Sequence, residues 1–215
     1  MRGLAGKVAV VVGGAGGIGT ATCLRFAEEG SAVAVGDLDG AAANDVAERI
    51  RAAGGRAVAC ETDISDEGQV QALVSRAVAE YGGIDMLHAN AADLSPETIG
   101  RDTDVVGMPM EAFDRTVHVG ARGHLLCARN AIPELLKRGG GALVFTSSGS
   151  AFAGEPQRPS YAMAKSAVNA LVRHIASRWG KEGIRANAVA PGLVRTERNF
   201  DVLEDQNVLS SILAT

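Results

Sequence analysis

Short runs of β-branched and small apolar residues alternate along the chain with longer stretches in which apolar residues recur at helical spacing. The short runs do not alternate with polar residues, which is typical of strands buried on both faces of a parallel sheet. Glycines follow several of the longer stretches, as is common at helix ends. The predicted strands are Val8–Val12, Ala32–Val35, Ala57–Cys60, Ile84–His88, Ala142–Thr146 and Ile184–Ala190. The predicted helices are Ile18–Glu29, Ala41–Ala53, Glu67–Tyr81, Glu111–Lys137 and Tyr161–Trp179.

This order of elements predicts an α/β fold, a doubly wound parallel sheet between two layers of helices, in a single domain over residues 1–215. Ligands of such sheets bind at the carboxyl ends of the strands. Residues 91–110 follow the fourth strand and have little periodicity. We therefore expect residues 91–110 to form a loop that borders the substrate and is more mobile than the sheet.

Composition excludes several classes of protein. The net charge is −4 with no basic run, so we expect no nucleic-acid partner. The three cysteines lie far apart and the four histidines lack ligand-like spacing, so we expect reduced thiols and no metal site. No apolar stretch is long enough to span a bilayer. The expected location is cytoplasmic, with no membrane partner.

A glycine-rich turn joins the first predicted strand to the first predicted helix. It contains Gly-x-Gly-x-x-Gly from Gly14 and Gly-x-x-x-Gly-x-Gly from Gly13. Such a turn lets the backbone approach a pyrophosphate, and the N–H groups of the following helix favour phosphate. The alternative is a tight turn that only needs positive φ. The dinucleotide site predicted here comprises Gly13, Gly16, Gly17, Ile18 and Gly19.

An acidic residue, Asp37, follows the second predicted strand at about the distance from the glycines at which a carboxylate binds the adenosine ribose. Its charge would repel a 2′-phosphate, so the sequence favours NAD over NADP. The neighbouring Leu38 is placed in the same site. Asp37 could instead cap the next helix, but Asp39 is better placed to do so.

A phenol and an ammonium group lie four residues apart on the last predicted helix. Tyr161 and Lys165 therefore share a face. A nearby cation stabilises phenolate and lowers a pKa that is ordinarily about 10. Ser148 lies shortly before this helix, just after the strand Ala142–Thr146.

Together with the glycine-rich turn, this order of Ser148, Tyr161 and Lys165 resembles the short-chain dehydrogenase/reductase family, which has the Rossmann fold. The resemblance implies hydride transfer between NAD and a small-molecule secondary alcohol or ketone, in a homodimer or homotetramer. It implies that Tyr161 is the acid/base, that Lys165 binds the nicotinamide ribose and lowers the pKa of Tyr161, and that Ser148 holds the substrate oxygen. The further cofactor-binding residues that it implies are Asp63, Ile64, Asn90, Ala91, Tyr161, Lys165, Pro191, Gly192, Val194 and Thr196.

Two of the departures from the family pattern bear on whether the protein is an active enzyme. Gly120 stands where the family has an asparagine that helps to hold a water-linked proton relay to the lysine. We expect a water in place of that amide, linking Lys165 to a backbone carbonyl of the same helix, so that Gly120→Asn changes turnover only modestly. The chain also ends soon after its sixth predicted strand, without the family's usual final strand. Both features leave open a second hypothesis, a catalytically impaired NAD-binding sensor or a structural subunit.

Overall fold

The computed structural model describes residues 3–196 of the chain. Its centre is a six-stranded parallel sheet with the strand order β3-β2-β1-β4-β5-β6. The order reverses between β1 and β4, and this reversal opens a crevice at the carboxyl ends of the strands. The strands are β1 (Val8–Val12), β2 (Ala32–Asp37), β3 (Arg56–Glu61), β4 (Met86–Ala89), β5 (Gly141–Thr146) and β6 (Ile184–Val189). The α-helices are α1 (Gly17–Glu28), α2 (Gly40–Ala52), α3 (Glu67–Tyr81), α4 (Met110–Val117), α5 (His124–Lys137) and α6 (Pro159–Trp179).

Helices cover both faces of the sheet. Strand β1 is buried along its whole length, and its successive side chains enter different cores. Val10 packs in the core shared with α3, α5 and α6, whereas Val11 packs in the core shared with α1 and α2. This burial explains the unbroken apolar runs of the sequence and confirms the predicted doubly wound α/β fold.

One predicted helix differs from the structure. The stretch predicted as a single helix, Glu111–Lys137, is interrupted between α4 and α5 by a π-helical turn, His118–Gly123. A Cβ on Gly120 would lie 3.0 Å from Cβ of Ala164 on α6, and a Cβ on Gly123 would lie 3.0 Å from Ile64. The wider turn therefore occurs where two neighbouring segments approach the backbone closely. Glycine suits this approach and also weakens the ordinary α-helical turn.

Strand β6 lies at one edge of the described sheet, and much of its carboxyl half is exposed. The expectation that a seventh strand is lacking concerns residues 197–215, which lie outside the described residues. None of the helices formed by residues 3–196 combines the length and apolar character needed to cross a membrane.

Candidate active site

The glycine-rich turn is compact on one side and open on the other. Gly13 has a φ of +79°, and a Cβ there would lie 2.6 Å from the backbone N of Ala91. A Cβ on Gly19 would lie 1.9 Å from the Gly13 carbonyl oxygen, whereas a Cβ on Gly16 would have no atom within 4 Å among the described residues. Helix α1 begins at Gly17 with no acidic residue in its first turn, so its leading N–H groups are not neutralised locally. This cradle fits a phosphate group.

The carboxylate of Asp37 lies at the edge of this turn. Its Oδ2 accepts a hydrogen bond from the backbone N of Ala15 at 2.8 Å, and its Oδ1 accepts one from the backbone N of Asp39 at 3.2 Å. Asp39 itself caps α2 by accepting from the backbone N of Ala42 at 2.9 Å. This confirms the expectation that Asp39, rather than Asp37, caps α2. Leu38 between them is exposed.

The segment 191–196 lies against the glycine-rich turn. A Cβ on Gly17 would lie 2.7 Å from Cγ2 of Thr196. At the other end of the segment, the Pro191 carbonyl accepts a hydrogen bond from the backbone N of Gly149, next to Ser148, at 3.2 Å. The segment that contains Gly192 and Val194 thus connects the turn to the Ser148 loop.

The predicted pair Asp63 and Ile64 is largely engaged within the protein. The Asp63 carboxylate accepts hydrogen bonds from the backbone N and from Oγ of Ser65, at 2.8 and 2.6 Å, and lies 3.8 Å from Arg115. Burial acts to raise the pKa of Asp63, but the Ser65 hydrogen bonds and the Arg115 charge outweigh it and hold the pKa below its usual value. The side chain of Ile64 is buried against Gly123, so Ile64 can offer a ligand only its backbone.

Asn90 connects the glycine-rich turn to β5. Its Nδ2 donates to the Gly13 carbonyl at 2.9 Å, and its Oδ1 accepts from Oγ1 of Thr146 at 2.8 Å. His88 Nε2 lies 2.9 Å from the same hydroxyl. Because the hydroxyl's one proton goes to Asn90, His88 must donate through Nε2. Burial lowers the pKa of His88 to about 4, so the ring is neutral. Asn90 therefore braces the site, and the backbone N of Ala91 does the same by donating to the Val12 carbonyl at 3.0 Å.

Lys165 is buried behind the phenol of Tyr161, with only 1% of its surface exposed. Its Nζ donates to the Thr146 carbonyl at 2.7 Å and lies 5.6 Å from the centroid of the Tyr161 ring. Burial lowers the pKa of Lys165 to about 8, which still leaves the amine mostly charged at neutral pH. Thr146 thus binds Lys165 through its backbone carbonyl and Asn90 through its hydroxyl.

The half-buried phenol of Tyr161 lies beside Ser148. Burial raises the pKa of Tyr161, while a hydrogen bond with Ser148 and the charge of Arg158 act to lower it and the charge of Glu155 to raise it. The expectation that Lys165 lowers this pKa is therefore not met in the structure. The physical reason is that burial outweighs the lowering contributions, and the Lys165 ammonium is engaged by a carbonyl on β5.

A small cavity of about 10 Å³ separates Gly120 from the Tyr161–Lys165 pair. This volume is roughly that needed by one water molecule. The Thr116 hydroxyl is buried and has no hydrogen-bond partner among residues 3–196. Lys165 also donates directly to a carbonyl of β5, and the predicted water link from Lys165 to a helix carbonyl stays a prediction. The lining residues are Ala92, Asp93, Thr116, Gly120, Tyr161, Ala164 and Lys165.

Part of the segment 91–110 borders this cavity, and its expected contact with the substrate and its expected mobility stay predictions. Ala92 and Asp93 line the cavity, and Asp102 is buried against the start of α6.

Sequence patterns did not indicate Asp102, Thr116 or the His88–Thr146 pair, because none belongs to a recognisable spacing.

The short chain dehydrogenase family matches residues 7–207 of the chain. This chain belongs to that family. A probable short-chain type dehydrogenase/reductase of Bradyrhizobium diazoefficiens is 44% identical over 195 residues, which cover 90% of this chain and 68% of the relative. The cis-4-hydroxycyclohexanecarboxylate dehydrogenase of Sinomonas cyclohexanicum is 41% identical over 190 residues, which cover 88% of this chain and 74% of that protein.

A solved structure supports the same assignment for this short-chain dehydrogenase. It is a 7α-hydroxysteroid dehydrogenase complexed with NADH and 7-oxo glycochenodeoxycholic acid. It has 34% sequence identity and a TM-score of 0.83, and the match covers 94% of this chain and 74% of that chain. This short-chain dehydrogenase is thus an oxidoreductase with a Rossmann fold, from a family that binds a nicotinamide cofactor.

Proposed function

We propose that this short-chain dehydrogenase interconverts an alicyclic secondary alcohol and its ketone with NAD, with Tyr161 as the acid/base. The observation that carries the proposal is that Tyr161 and Lys165 line one cavity and that Ser148 lies within hydrogen-bond reach of Tyr161. A protein that only bound a nucleotide would have no need to bury an ammonium beside a phenol.

NAD is favoured over NADP by the position of Asp37. Its carboxylate lies beside the glycine-rich turn, held by the backbone N of Ala15 at 2.8 Å. There it would accept hydrogen bonds from a ribose diol and repel a phosphate on the same ribose. Gly13, Gly16, Gly17, Ile18, Gly19 and Thr196 would hold the phosphates, and Lys165 would hold the nicotinamide ribose.

The proposed reaction assigns one task to each of three side chains. NAD, when bound, would supply the hydride acceptor for the alcohol carbon, and NADH the hydride donor for the ketone. Ser148 donates a hydrogen bond to the substrate oxygen and holds it near Tyr161. In the reductive direction Tyr161 gives its phenol proton to that oxygen, and in the oxidative direction it takes the proton back. Lys165 would bind the nicotinamide ribose and so keep the cofactor beside Tyr161.

A water in the cavity beside Gly120 would serve the proton transfer. It could bond to the Thr116 hydroxyl and to one of the two Lys165 protons that the Thr146 carbonyl does not use. A water with two or more such partners bridges polar groups at little cost. In this proposal the water and Thr116 together replace the asparagine of the family pattern.

The substrate class is proposed from two kinds of support. One relative is named for cis-4-hydroxycyclohexanecarboxylate, and the similar solved structure is a complex with 7-oxo glycochenodeoxycholic acid. Each of these compounds carries an oxygen on a saturated ring. In this chain, half of the exposed large apolar side chains of the described residues lie on residues 94–110, at position 152 or on α6, with Val105 82% and Val106 91% exposed. The other members of this half are Leu94, Met110, Phe152 and Met163. Such side chains favour an apolar ring over a short polar alcohol.

The test is an assay of reduced-cofactor formation with NAD or NADP. The alcohols are cyclohexanol, substituted cyclohexanols and hydroxysteroids, compared with linear secondary alcohols of equal carbon number. We expect the highest kcat/KM for a ring alcohol with NAD. Faster turnover of the linear alcohols would contradict the substrate class. Tight NAD binding without turnover of any alcohol or ketone would instead favour the sensor hypothesis.

Association through α5 is the proposed mode of assembly. Leu125 and Leu136 are both exposed on this helix, which suits burial against a second copy. Light scattering of the purified protein should give the mass of a homodimer or homotetramer. A monomer at micromolar concentration would contradict this proposal.

A further inference from the structure

The helix that carries Tyr161 has no cap of its own. Arg158 occupies the N-cap position in a left-handed conformation, with a φ of 63°, and its side chain makes no cap hydrogen bond. Among residues 3–196, it is the only residue other than glycine with a positive φ. Pro159 follows and has no N–H group. The first N–H groups of α6 that need partners therefore belong to Ser160 and to Tyr161 itself.

A carboxylate from the substrate-side segment satisfies both groups. Oδ1 of Asp102 accepts from the backbone N of Ser160 at 3.2 Å, and Oδ2 accepts from the backbone N of Tyr161 at 2.9 Å. The backbone carbonyls of Asp102 and Thr103 both accept from the backbone N of Arg158 at 3.0 Å. The segment is thus joined to α6 by four hydrogen bonds across a sequence separation of more than fifty residues.

The burial of Asp102 makes this junction specific. The residue is only 2% exposed, and it forms no ion pair with the described residues. A buried carboxylate is costly unless hydrogen bonds and a favourable field compensate it. Here the compensation comes from the N–H groups and the partial positive charge at the start of α6. If the segment left this position, both the carboxylate and the helix start would lose their partners.

We propose that Asp102 is a positioning residue that couples the substrate-side segment to the acid/base. The position of residues 91–110 then determines the position of the Tyr161 phenol, because Asp102 binds the backbone N of Tyr161 directly. Asp93, on the same segment, lines the cavity beside Tyr161. Substrate contacts to this segment would therefore change kcat as well as KM. The proposal rests on the proposed role of Tyr161.

The test uses the fact that the chain contains only two tyrosines, Tyr81 and Tyr161. In a Tyr81→Phe background, phenolate absorbance reports the pKa of Tyr161 without any substrate or cofactor. We expect Asp102→Ala to loosen the start of α6, hydrate the phenol and bring its raised pKa back toward the ordinary value of about 10. Amide hydrogen exchange at Ser160 and Tyr161 should accelerate by about tenfold or more.

Two further variants make the test specific. Asp104 lies on the same segment, but within residues 3–196 its exposed carboxylate accepts only from the backbone N of Val106 and of Gly107, both at 2.8 Å. Asp104→Ala should leave the Tyr161 titration unchanged. Asp102→Asn keeps one acceptor oxygen and should give an intermediate shift. If Asp102→Ala does not fold, the Tyr161 titration of Asp102→Asn tests the proposal instead. An unchanged Tyr161 titration and unchanged exchange in a folded Asp102 variant would overturn the proposal.

Kinetics separate this proposal from the proposed function. With an active alcohol, Asp102→Ala should lower kcat by about tenfold while leaving the Kd of NAD unchanged, because the glycine-rich turn is not touched. A loss of NAD affinity equal to the loss of kcat would overturn the coupling and indicate a general structural defect. If no alcohol is turned over by the unmodified protein, the proposed function fails, but the titration still tests the junction.

Discussion

At the scale of single residues, the site keeps an ammonium group in an environment that disfavours it. Burial lowers the pKa of Lys165 to about 8, from about 10.4 in an unfolded chain. The charged amine is therefore less favourable in the folded state, and this cost is fully present below pH 8. It declines as the pH rises from about 8 to about 10.4.

Lys165→Met should therefore stabilise the fold while abolishing turnover. At pH 7 we expect the free energy of unfolding to rise by about 1–3 kcal/mol, because the cost of the buried charge exceeds the lost hydrogen bond to Thr146. Urea denaturation measures the change. Lys137→Met, at an exposed ion pair with Glu134, is the matched control and should change stability by less than about 0.5 kcal/mol. A clear loss of stability in Lys165→Met would contradict this account of the site.

Asp37 determines the choice of cofactor in the proposed function. Asp37→Ser should reduce the preference for NAD over NADP by about tenfold, because the repulsion of a 2′-phosphate is removed. Fluorescence titration with NADH and NADPH gives both Kd values. Asp39→Ser, at the cap of α2, should leave the preference unchanged. A tenfold preference of the unmodified protein for NADP would show that the assignment of Asp37 is wrong.

The spacing of residues along the chain predicts part of the candidate site but not the rest. Ser148, Tyr161 and Lys165 could be predicted because their order along the chain is distinctive. The roles of Asp102 and Thr116 could not be predicted, since each depends on a partner that only the fold brings near. The direction of the Tyr161 pKa shift depends on how deeply the ring is buried, which spacing does not reveal.

At the scale of secondary structure, the short apolar runs of the sequence predict every strand of the described sheet to within about two residues. Apolar periodicity does not predict the π-helical turn at His118–Gly123. The cause is tertiary, since α6 approaches the turn so closely that a Cβ on Gly120 would lie 3.0 Å from Cβ of Ala164.

This close approach changes what Gly120→Asn should do. The sequence alone predicts a modest effect on turnover, but the structure shows that the new Cβ would press on Ala164, next to Lys165. Overpacking of this kind costs about 1–3 kcal/mol and would displace the start of α6. We expect Gly120→Asn and Gly120→Ala to lower kcat similarly, and the added substitution Ala164→Gly to restore much of it. Ala164→Gly alone is the control, and higher activity in Gly120→Asn alone would contradict this prediction.

At the scale of the whole molecule, the order of the sheet brings the glycine-rich turn, Ser148 and Lys165 to one edge. Asn90 and Thr146 then connect the two halves of the site across β4 and β5. The same core contains two neutral histidines. Burial lowers the pKa of His88 to about 4, and burial with the charge of Lys165 lowers that of His124 to about 3.

These histidines predict how stability depends on pH. Their folded pKa values lie below the unfolded value of about 6.5, so their contribution to stability is fully present above pH 6.5. It is lost as the pH falls from about 6.5 toward 4, where the unfolded chain binds protons that the folded chain excludes. Urea denaturation between pH 8 and pH 4 should show this decline, and His124→Leu should reduce its slope. Maximum stability near pH 5 would contradict the prediction.

The most direct test of the central claim is the Tyr161→Phe substitution, measured for both turnover and NADH binding. The substitution removes only the oxygen to which the proposed function assigns the proton transfer, and it leaves Lys165 and the glycine-rich turn in place. We predict that the Kd of NADH stays within about twofold, since little binding energy depends on that oxygen. Turnover should fall by about 10²–10⁴-fold, the usual contribution of a positioned acid/base. Turnover equal to that of the unmodified protein, at unchanged NADH affinity, would contradict the account.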